Sequence, residues 1–301
     1  MIIPKNNDSE KKNNNNKDDL NDYGKKEDKD KRLNDLNGKD WLKYSISVWD
    51  IVKTPEERNL SHPAMFPIEL CERLIKIFTK IGDVVLDPFF GSGSTLIAAK
   101  MNKRKAIGFE INKDYTNLFK ERVKQKDIAS NYNNESQKEK LIKIYNKNCN
   151  LIPEYIKPES IDLCLTSPPY WDILRMKRSA DNKEIRPYSD NEEDLGNIDD
   201  YAKFLNKLKN IFKNVYVTLK QKKFCIIILM DIRKQDQFYT FHIDTINFMR
   251  EIGFTLDDII IWNRQMEYNN LRPLGYPFVF RVNRIHEYIL LFQKRVNDER
   301  K

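Results

Sequence analysis

Apolar residues along the chain fall into short runs with two different periods. Residues 84–87 (VVLD), 106–110, 141–145, 161–166 (IDLCLT), 224–231 (FCIIILMD), 258–262 and 288–293 are compact apolar runs of strand length. Residues 66–78 (FPIELCERLIKIF), 95–101, 114–124, 201–219 and 241–252 read as helices. Pro67 opens the first of these, where its missing N–H costs nothing. Strands separated by helices predict an α/β, doubly wound and mostly parallel sheet covered on both faces. Two polar stretches interrupt the alternation. Residues 124–140 read as a loop or helix end, and residues 177–197 as a long surface loop.

Residues 1–40 behave differently. They are rich in Asn, Lys and Asp, include Asn13 to Asn16, and contain almost no apolar positions. Such a segment buries too little surface to offset its ordering entropy, so residues 1–40 are expected to be a disordered tail. The folded catalytic domain is expected over residues 41–301, with its first apolar cluster at Trp41. The tail carries ten Lys/Arg and ten Asp/Glu, so the formal net charge of +8 lies in residues 41–301. That excess weakly favours a polyanionic partner. The longest unbroken apolar run, Phe224 to Met230, is far short of a membrane span, and the N-terminus lacks a secretory h-region. Cys71, Cys149, Cys164 and Cys225 form no CxxC pair, and the three histidines have no metal spacing. A soluble cytoplasmic protein with no metal site is expected.

Three places carry chemistry. The first is VVLDPFFGSGSTLIAA, residues 84–99: a strand ending in Asp87, a loop with Phe89, Gly91 and Gly93, then a helix. Glycine lets the backbone approach a ligand, and a helix N-terminus offers unpaired N–H groups. The loop departs from the dinucleotide fingerprint, whose third glycine would fall at Leu96, so a nicotinamide cofactor is disfavoured. The second is Glu110, 23 residues after Asp87 and at the next strand end, where a carboxylate accepts hydrogen bonds from ribose hydroxyls. The third is Ser167-Pro168-Pro169-Tyr170, delivered by the strand 161–166. Two prolines fix a rigid extended turn. It aims the Ser167 hydroxyl, the carbonyls around Pro168 and the Tyr170 ring in set directions. Two acceptors and an aromatic platform suit a planar, ring-conjugated –NH₂ group. Hydrogen bonds from both N–H groups favour a pyramidal nitrogen whose lone pair turns toward an electrophile. A proline-rich turn capping a core strand is the bland alternative.

In order and context these motifs resemble the S-adenosylmethionine-dependent DNA amino-methyltransferases of restriction–modification systems, over residues 46–294. The resemblance implies a Rossmann-like methyltransferase fold with an antiparallel last strand. It also implies S-adenosyl-L-methionine as cofactor, double-stranded DNA as substrate, and a cognate restriction endonuclease as a candidate partner. HPAMFPIELCERLI (62–75) looks like the segment at the methionine end of the cofactor, which assigns Phe66 there. DPFFGSGST (87–95) looks like the glycine loop, with Asp87, Phe89, Gly91 and Gly93 holding the cofactor and Glu110 its ribose. SPPY (167–170) looks like the catalytic tetrapeptide in the form commonest among cytosine N4 enzymes, while DIR (231–233) and NRIHEY (283–288) look like later blocks. Where the family usually has an acid near the adenine, this chain reads Asn148-Cys149-Asn150.

Cytosine N4 is therefore the expected target. Adenine N6, an RNA amine, or a catalytically silent nucleic-acid-binding subunit of the same fold are the alternatives. DNA contacts are expected from Trp171, Arg175, Lys177 and Arg178, which follow the catalytic turn. Arg264, Tyr268, Arg272 and Tyr276 lie in a second loop that mixes aromatic and basic residues, as stacking and phosphate contact require. His62 and His286 are read as loop-holding residues, and the lysines of 203–223 as a solvated face.

Overall fold

The computed structural model describes residues 31–59, 65–129, 141–175, 193–268 and 271–295. In chain order the elements begin with α1 (Gly38–Tyr44), β1 (Val48–Trp49), α2 (Pro55–Arg58), α3 (Ile68–Phe78) and β2 (Val84–Asp87). Next come α4 (Ser94–Met101), β3 (Lys105–Phe109), α5 (Lys113–Ala129), β4 (Ile142–Tyr145), α6 (Ile152–Tyr155) and β5 (Ile161–Thr166). The last are α7 (Tyr201–Thr218), β6 (Leu219–Leu229), β7 (Ile232–Lys234), β8 (Gln237–Tyr239), α8 (Phe241–Ile252), β9 (Thr255–Asn263) and β10 (His286–Gln293).

One eight-stranded sheet organises them in the order β1-β9-β10-β6-β5-β2-β3-β4. Strands β4, β3, β2, β5 and β6 pair in parallel, whereas β10 runs antiparallel to both β6 and β9. This is the doubly wound, Rossmann-like arrangement with a reversed last strand that the sequence suggests. Neighbouring residues of each central strand face opposite layers, as a two-residue period requires. Val85, Leu163, Leu165, Ile226 and Ile228 pack under α3 and α4 with Leu70, Leu74, Leu96 and Ile97. Leu86, Cys164, Cys225, Ile227 and Leu229 pack against α7 and α8 through Phe204, Leu208, Phe212 and Met249. Both faces are dry, which is why these strands read as unbroken apolar runs. No helix among the described residues is long and apolar enough to cross a membrane.

The structure departs from the sequence reading in four places. Strand β6 starts at Leu219 rather than at 224, because its lysines are used. Lys220 holds the buried Asp162 carboxylate at 2.8 Å, and Lys223 lies 3.4 Å from it. The two-residue strand β1 extends the sheet beside β9, and β7 with β8 forms a separate hairpin. All three are too short for periodicity to reveal. Finally, the ordered part begins before 41. Asn34 is buried and its side-chain amide donates to the Ile77 carbonyl at 2.6 Å, while α1 starts at Gly38 with Asn37 as its N-cap. The segment docks through Asn34, through Asp35, which accepts from the Ile81 amide at 3.4 Å, and through Leu33 packed on the core, contacts too few to leave a period in the sequence.

The Asn34 contact yields a test. Asn34→Ala leaves the carbonyl at the end of α3 without its partner and is expected to lower unfolding free energy by about 1–2 kcal/mol. Urea denaturation measures it, and an unchanged midpoint would mean the Asn34–Ile77 hydrogen bond adds nothing to stability.

Candidate active site

The site is built where β2, β3 and β5 end. Strand β2 delivers Asp87, whose Oδ1 accepts from the Phe89 amide at 3.0 Å and from Thr166 Oγ1, at the end of β5, at 2.6 Å. The Thr95 hydroxyl, in the first turn of α4, also donates to this carboxyl. Burial pushes the Asp87 carboxyl up to about 6, and these three donors oppose the shift. Asp87 is only 1% exposed, so it does not face the cleft, and its expected contact with a cofactor is corrected to a scaffold role. Gly93 is corrected likewise. It caps α4 with a left-handed φ of 83°, and a Cβ there would sit 2.1 Å from the Phe119 ring. Gly91, also left-handed at φ 51°, does face the cleft. Arg122 steadies the turn between them by donating to the Ser92 carbonyl at 2.5 Å.

The cleft encloses about 870 Å³, counted out to solvent at its mouth. Phe66, Phe89, Gly91 and Glu110 line one part, and Ser167, Pro168 and Pro169 another. The segments singled out in the sequence thus meet at one cleft. Phe66 is set by α3, whose first amide, at Ile68, donates to the buried Glu57 carboxylate at 2.8 Å. Glu110 stands just past β3. Its Oε2 accepts from the Gly91 amide at 2.9 Å and its Oε1 from the Asn112 amide at 2.8 Å. Burial pushes its carboxyl up to about 7; the two amides oppose this, and the charges of Asp194 and Asp87 add to it. Each carboxylate oxygen has a second lone pair. The group therefore fits two further donors, such as a pair of ribose hydroxyls.

Two acids at the cleft were missed by the sequence reading. Glu193 and Asp194 line it beside Asn148, with Glu193 accepting from the Asn148 amide at 3.0 Å. An acid does stand near 148–150, then, but it comes from the far end of the 177–197 loop, which no local spacing signals. Among the described residues no group of three His, Cys, Asp or Glu is arranged to hold a metal ion.

The Ser167–Tyr170 turn has an anchor that was also missed. Ser167 Oγ donates to the Tyr170 hydroxyl at 3.3 Å, and that hydroxyl donates to Glu287 Oε2 at 2.7 Å. Arg264 closes an ion pair on the other oxygen of Glu287 and pairs with Glu267 at 2.7 Å. Burial disfavours the Arg264 charge, but Glu287, Tyr268 and Glu267 outweigh it and raise its pKa. The signal available in the sequence was a lone acid, Glu287, leading the apolar run of the last strand; such a buried acid needs a cation.

Arg264, expected at DNA, is instead a half-buried counter-ion whose guanidinium is committed to Glu287 and Glu267. Trp171 is corrected too. It is 3% exposed, donates to the Ile198 carbonyl at 2.7 Å, and packs on Tyr201 and Tyr239 with Lys234 over its ring. Its backbone is left-handed at φ 51°, so the bulky ring fixes the reversal that follows the two prolines. Arg175 and Arg272 remain exposed, Arg175 in an ion pair with Asp199 at 3.1 Å. Lys177, Arg178 and His62 lie outside the described residues.

The chain matches the family described as DNA methylase over residues 3–121 and 161–299. It belongs to the DNA methylase family. The family described as D12 class N6 adenine-specific DNA methyltransferase matches residues 69–226 of this methylase. The type II methyltransferase M.MjaI of Methanocaldococcus jannaschii is 42% identical over 30% of this chain and 31% of its own. The type II methyltransferase M.BglI of Bacillus subtilis is 35% identical over 44% of this chain and 36% of its own. The methylase chain spans about a third of the length of the curated relatives it matches. The solved structure of a DNA modification methylase from Thermus thermophilus, TTHA0409, with S-adenosyl-L-methionine is 22% identical, with a TM-score of 0.35, over 50% of this chain and 51% of that one.

Asp87 and Glu110 both hold protons more tightly folded than unfolded: about 6 against 3.8, and about 7 against 4.5. Between these values the folded methylase binds more protons, so their contribution to stability falls as pH rises from about 4 to about 7. Asp87→Asn removes its share of that slope. The difference in urea midpoint between variant and wild type is expected to move in favour of the variant as pH rises across this window; a pH-independent difference would exclude the shift.

Proposed function

We propose that this methylase transfers a methyl group from S-adenosyl-L-methionine to the exocyclic amine of a base flipped out of double-stranded DNA, in a restriction–modification setting. The observation that carries the reading is the joining of the two half-sites. One cleft is lined by Gly91 and Glu110 from the cofactor half and by Ser167 and Pro168 from the catalytic turn. The residues fit an adenosyl group: Glu110 keeps acceptor capacity toward the ribose, Gly91 brings backbone close, and Phe66 with Phe89 offers apolar wall. When bound, the cofactor supplies an electrophilic methyl.

The chain's own residues do the rest. Ser167 Oγ and the Pro168 carbonyl accept from the two amine hydrogens and turn the lone pair out of conjugation. Because the Ser167 proton is directed to Tyr170, the oxygen lone pairs are left for the amine. Tyr170, its hydroxyl held by Glu287, offers its ring to the base. Catalysis is chiefly positioning, worth the effective molarity of a well-oriented pair, and the target amine is reached by extruding the base. Arg175 and Arg272 are exposed cations suited to phosphate contact. Residues 1–40 carry equal numbers of basic and acidic side chains and contribute little electrostatic affinity.

Cytosine N4 is the favoured target, on the serine of the tetrapeptide. Adenine N6 is the second reading, favoured by the D12 class match over residues 69–226. Nucleoside mass spectrometry of DNA from cells expressing the protein separates them: N4-methylcytosine supports the first, N6-methyladenine the second, and neither product rejects both.

Two substitutions test the assigned roles. Ser167→Ala is expected to cut turnover about tenfold or more, the loss of one hydrogen bond worth roughly 1.5–3 kcal/mol, with cofactor affinity unchanged. Wild-type turnover would remove Ser167 from the chemistry. Glu110→Ala is expected to weaken cofactor binding by about 1.5–3 kcal/mol in calorimetry; an unchanged Kd would mean the ribose sits elsewhere.

A further inference from the structure

The loop between β9 and β10 carries apolar side chains that the fold does not use. Phe278 is 91% exposed, Phe280 90% and Tyr276 79%. Exposed rings on a slack segment would mean little, but this tip is constructed. The Phe278 and Val279 amides both donate to the Gly275 carbonyl, at 2.9 and 2.8 Å. Gly275 holds φ 78°, and a Cβ there would lie 2.1 Å from the Val279 carbonyl oxygen. Asn283 closes the loop by donating to the Arg272 carbonyl at 2.8 Å, and the Arg264 amide closes its base on Ile285 at 2.7 Å. A turn built this closely holds two phenylalanines in water.

The surroundings say what covers them. Residues 271–285 contain Arg272, Arg281 and Arg284 and no acid. Arg281 ties the loop to the β7–β8 hairpin through Asp236 at 2.8 Å. On that hairpin Phe238 lies between two guanidinium groups, Arg284 at 4.5 Å and Arg233 at 5.2 Å from its ring centroid. Neither Arg233 nor Arg284 is ion-paired to a carboxylate among the described residues. Burial and the charge of Arg233 press the Arg284 pKa down, against the charges of Asp231 and Tyr288, and an anion held between the two arginines relieves the repulsion that is left. The loop also leaves the sheet at the edge that holds the catalytic turn, since Arg264 at its start and Tyr170 share Glu287. A second copy of the chain meeting this surface about a two-fold axis would set arginines against arginines. A phosphodiester duplex does not.

We propose that, given the methyltransferase reading above, this loop and hairpin engage duplex DNA beside the extruded base, with Phe278 and Phe280 entering the base stack and Arg233 with Arg284 holding a phosphate. Filling the gap with apolar rings offsets the unstacking that extrusion entails.

The test uses the full chain and a duplex carrying the site mapped by sequencing methylated plasmid DNA, either fully paired or with an abasic position opposite the target. The double variant Phe278→Ser, Phe280→Ser is expected to lose about tenfold or more of the methylation rate on the paired duplex and to stay within about twofold of wild type opposite the abasic site, where extrusion meets no pairing. Fluorescence of 2-aminopurine at the target position is expected to rise with wild type and not with the variant. Equal rates on both duplexes, equal losses on both, or a wild-type dimer that the variant dissociates would each overturn the wedge. Arg233→Gln with Arg284→Gln is expected to reduce the slope of log affinity against log salt by about two, and an unchanged slope would overturn the phosphate contact. A wild-type protein that methylates neither duplex defeats the methyltransferase reading itself, an outcome distinct from an active wild type with an unaltered variant.

Discussion

A single buried carboxylate holds the two halves of the cleft in register. Asp87 takes hydrogen bonds from the end of its own strand, from the start of α4 and from Thr166 at the end of β5. Thr166 directly precedes the serine of the catalytic turn. A shift of Asp87 therefore moves the glycine loop and Ser167 together, so one side chain with no access to solvent ties the two segments that line the cleft. Keeping an ionisable group there is expensive, as its raised pKa reports. An apolar residue would cost less in desolvation and leave three donors unmet.

The same logic recurs on the other side of the turn. Tyr170, Glu287, Arg264 and Glu267 form a chain of hydrogen bonds and ion pairs, so the Tyr170 ring is held from β10 and from the segment after β9. Such networks specify geometry more than they add stability, since paired buried charges roughly offset their own desolvation. In the proposed methyl transfer geometry is what matters, because the chain's residues position the reacting groups and form no covalent bond to them.

Much of this was legible in the sequence, and the failures have physical causes. Strands buried on both faces announce themselves as apolar runs, which is why β2 and β5 fell where expected. The glycine loop and SPPY were readable because backbone constraints restrict the residues that fit. Side-chain roles assigned by residue type alone were less secure. Trp171 and Arg264 are of the residue types that contact DNA, yet Trp171 is buried against Ile198 and Arg264 is held half-buried by Glu287. The acids Glu193 and Asp194 reach the cleft from a distant loop, and Asn34, Asp35 and Leu33 dock through scattered contacts; neither leaves a period in the chain.

The reversed direction of β10 has a bearing on how such a protein changes over time. Because β9 and β10 are antiparallel neighbours, the segment between them leaves and re-enters the sheet at the same edge, its two feet joined by the Arg264 amide and the Ile285 carbonyl. A parallel connection must span the sheet and carries a helix that belongs to the core; this one does neither. Doubling its length costs only about 0.6 kcal/mol of closure entropy. Beyond Arg264 and Glu267, which hold Glu287, the surface beside this turn is thus an exchangeable cassette, free to lengthen or be replaced while the strands beneath keep their pairing.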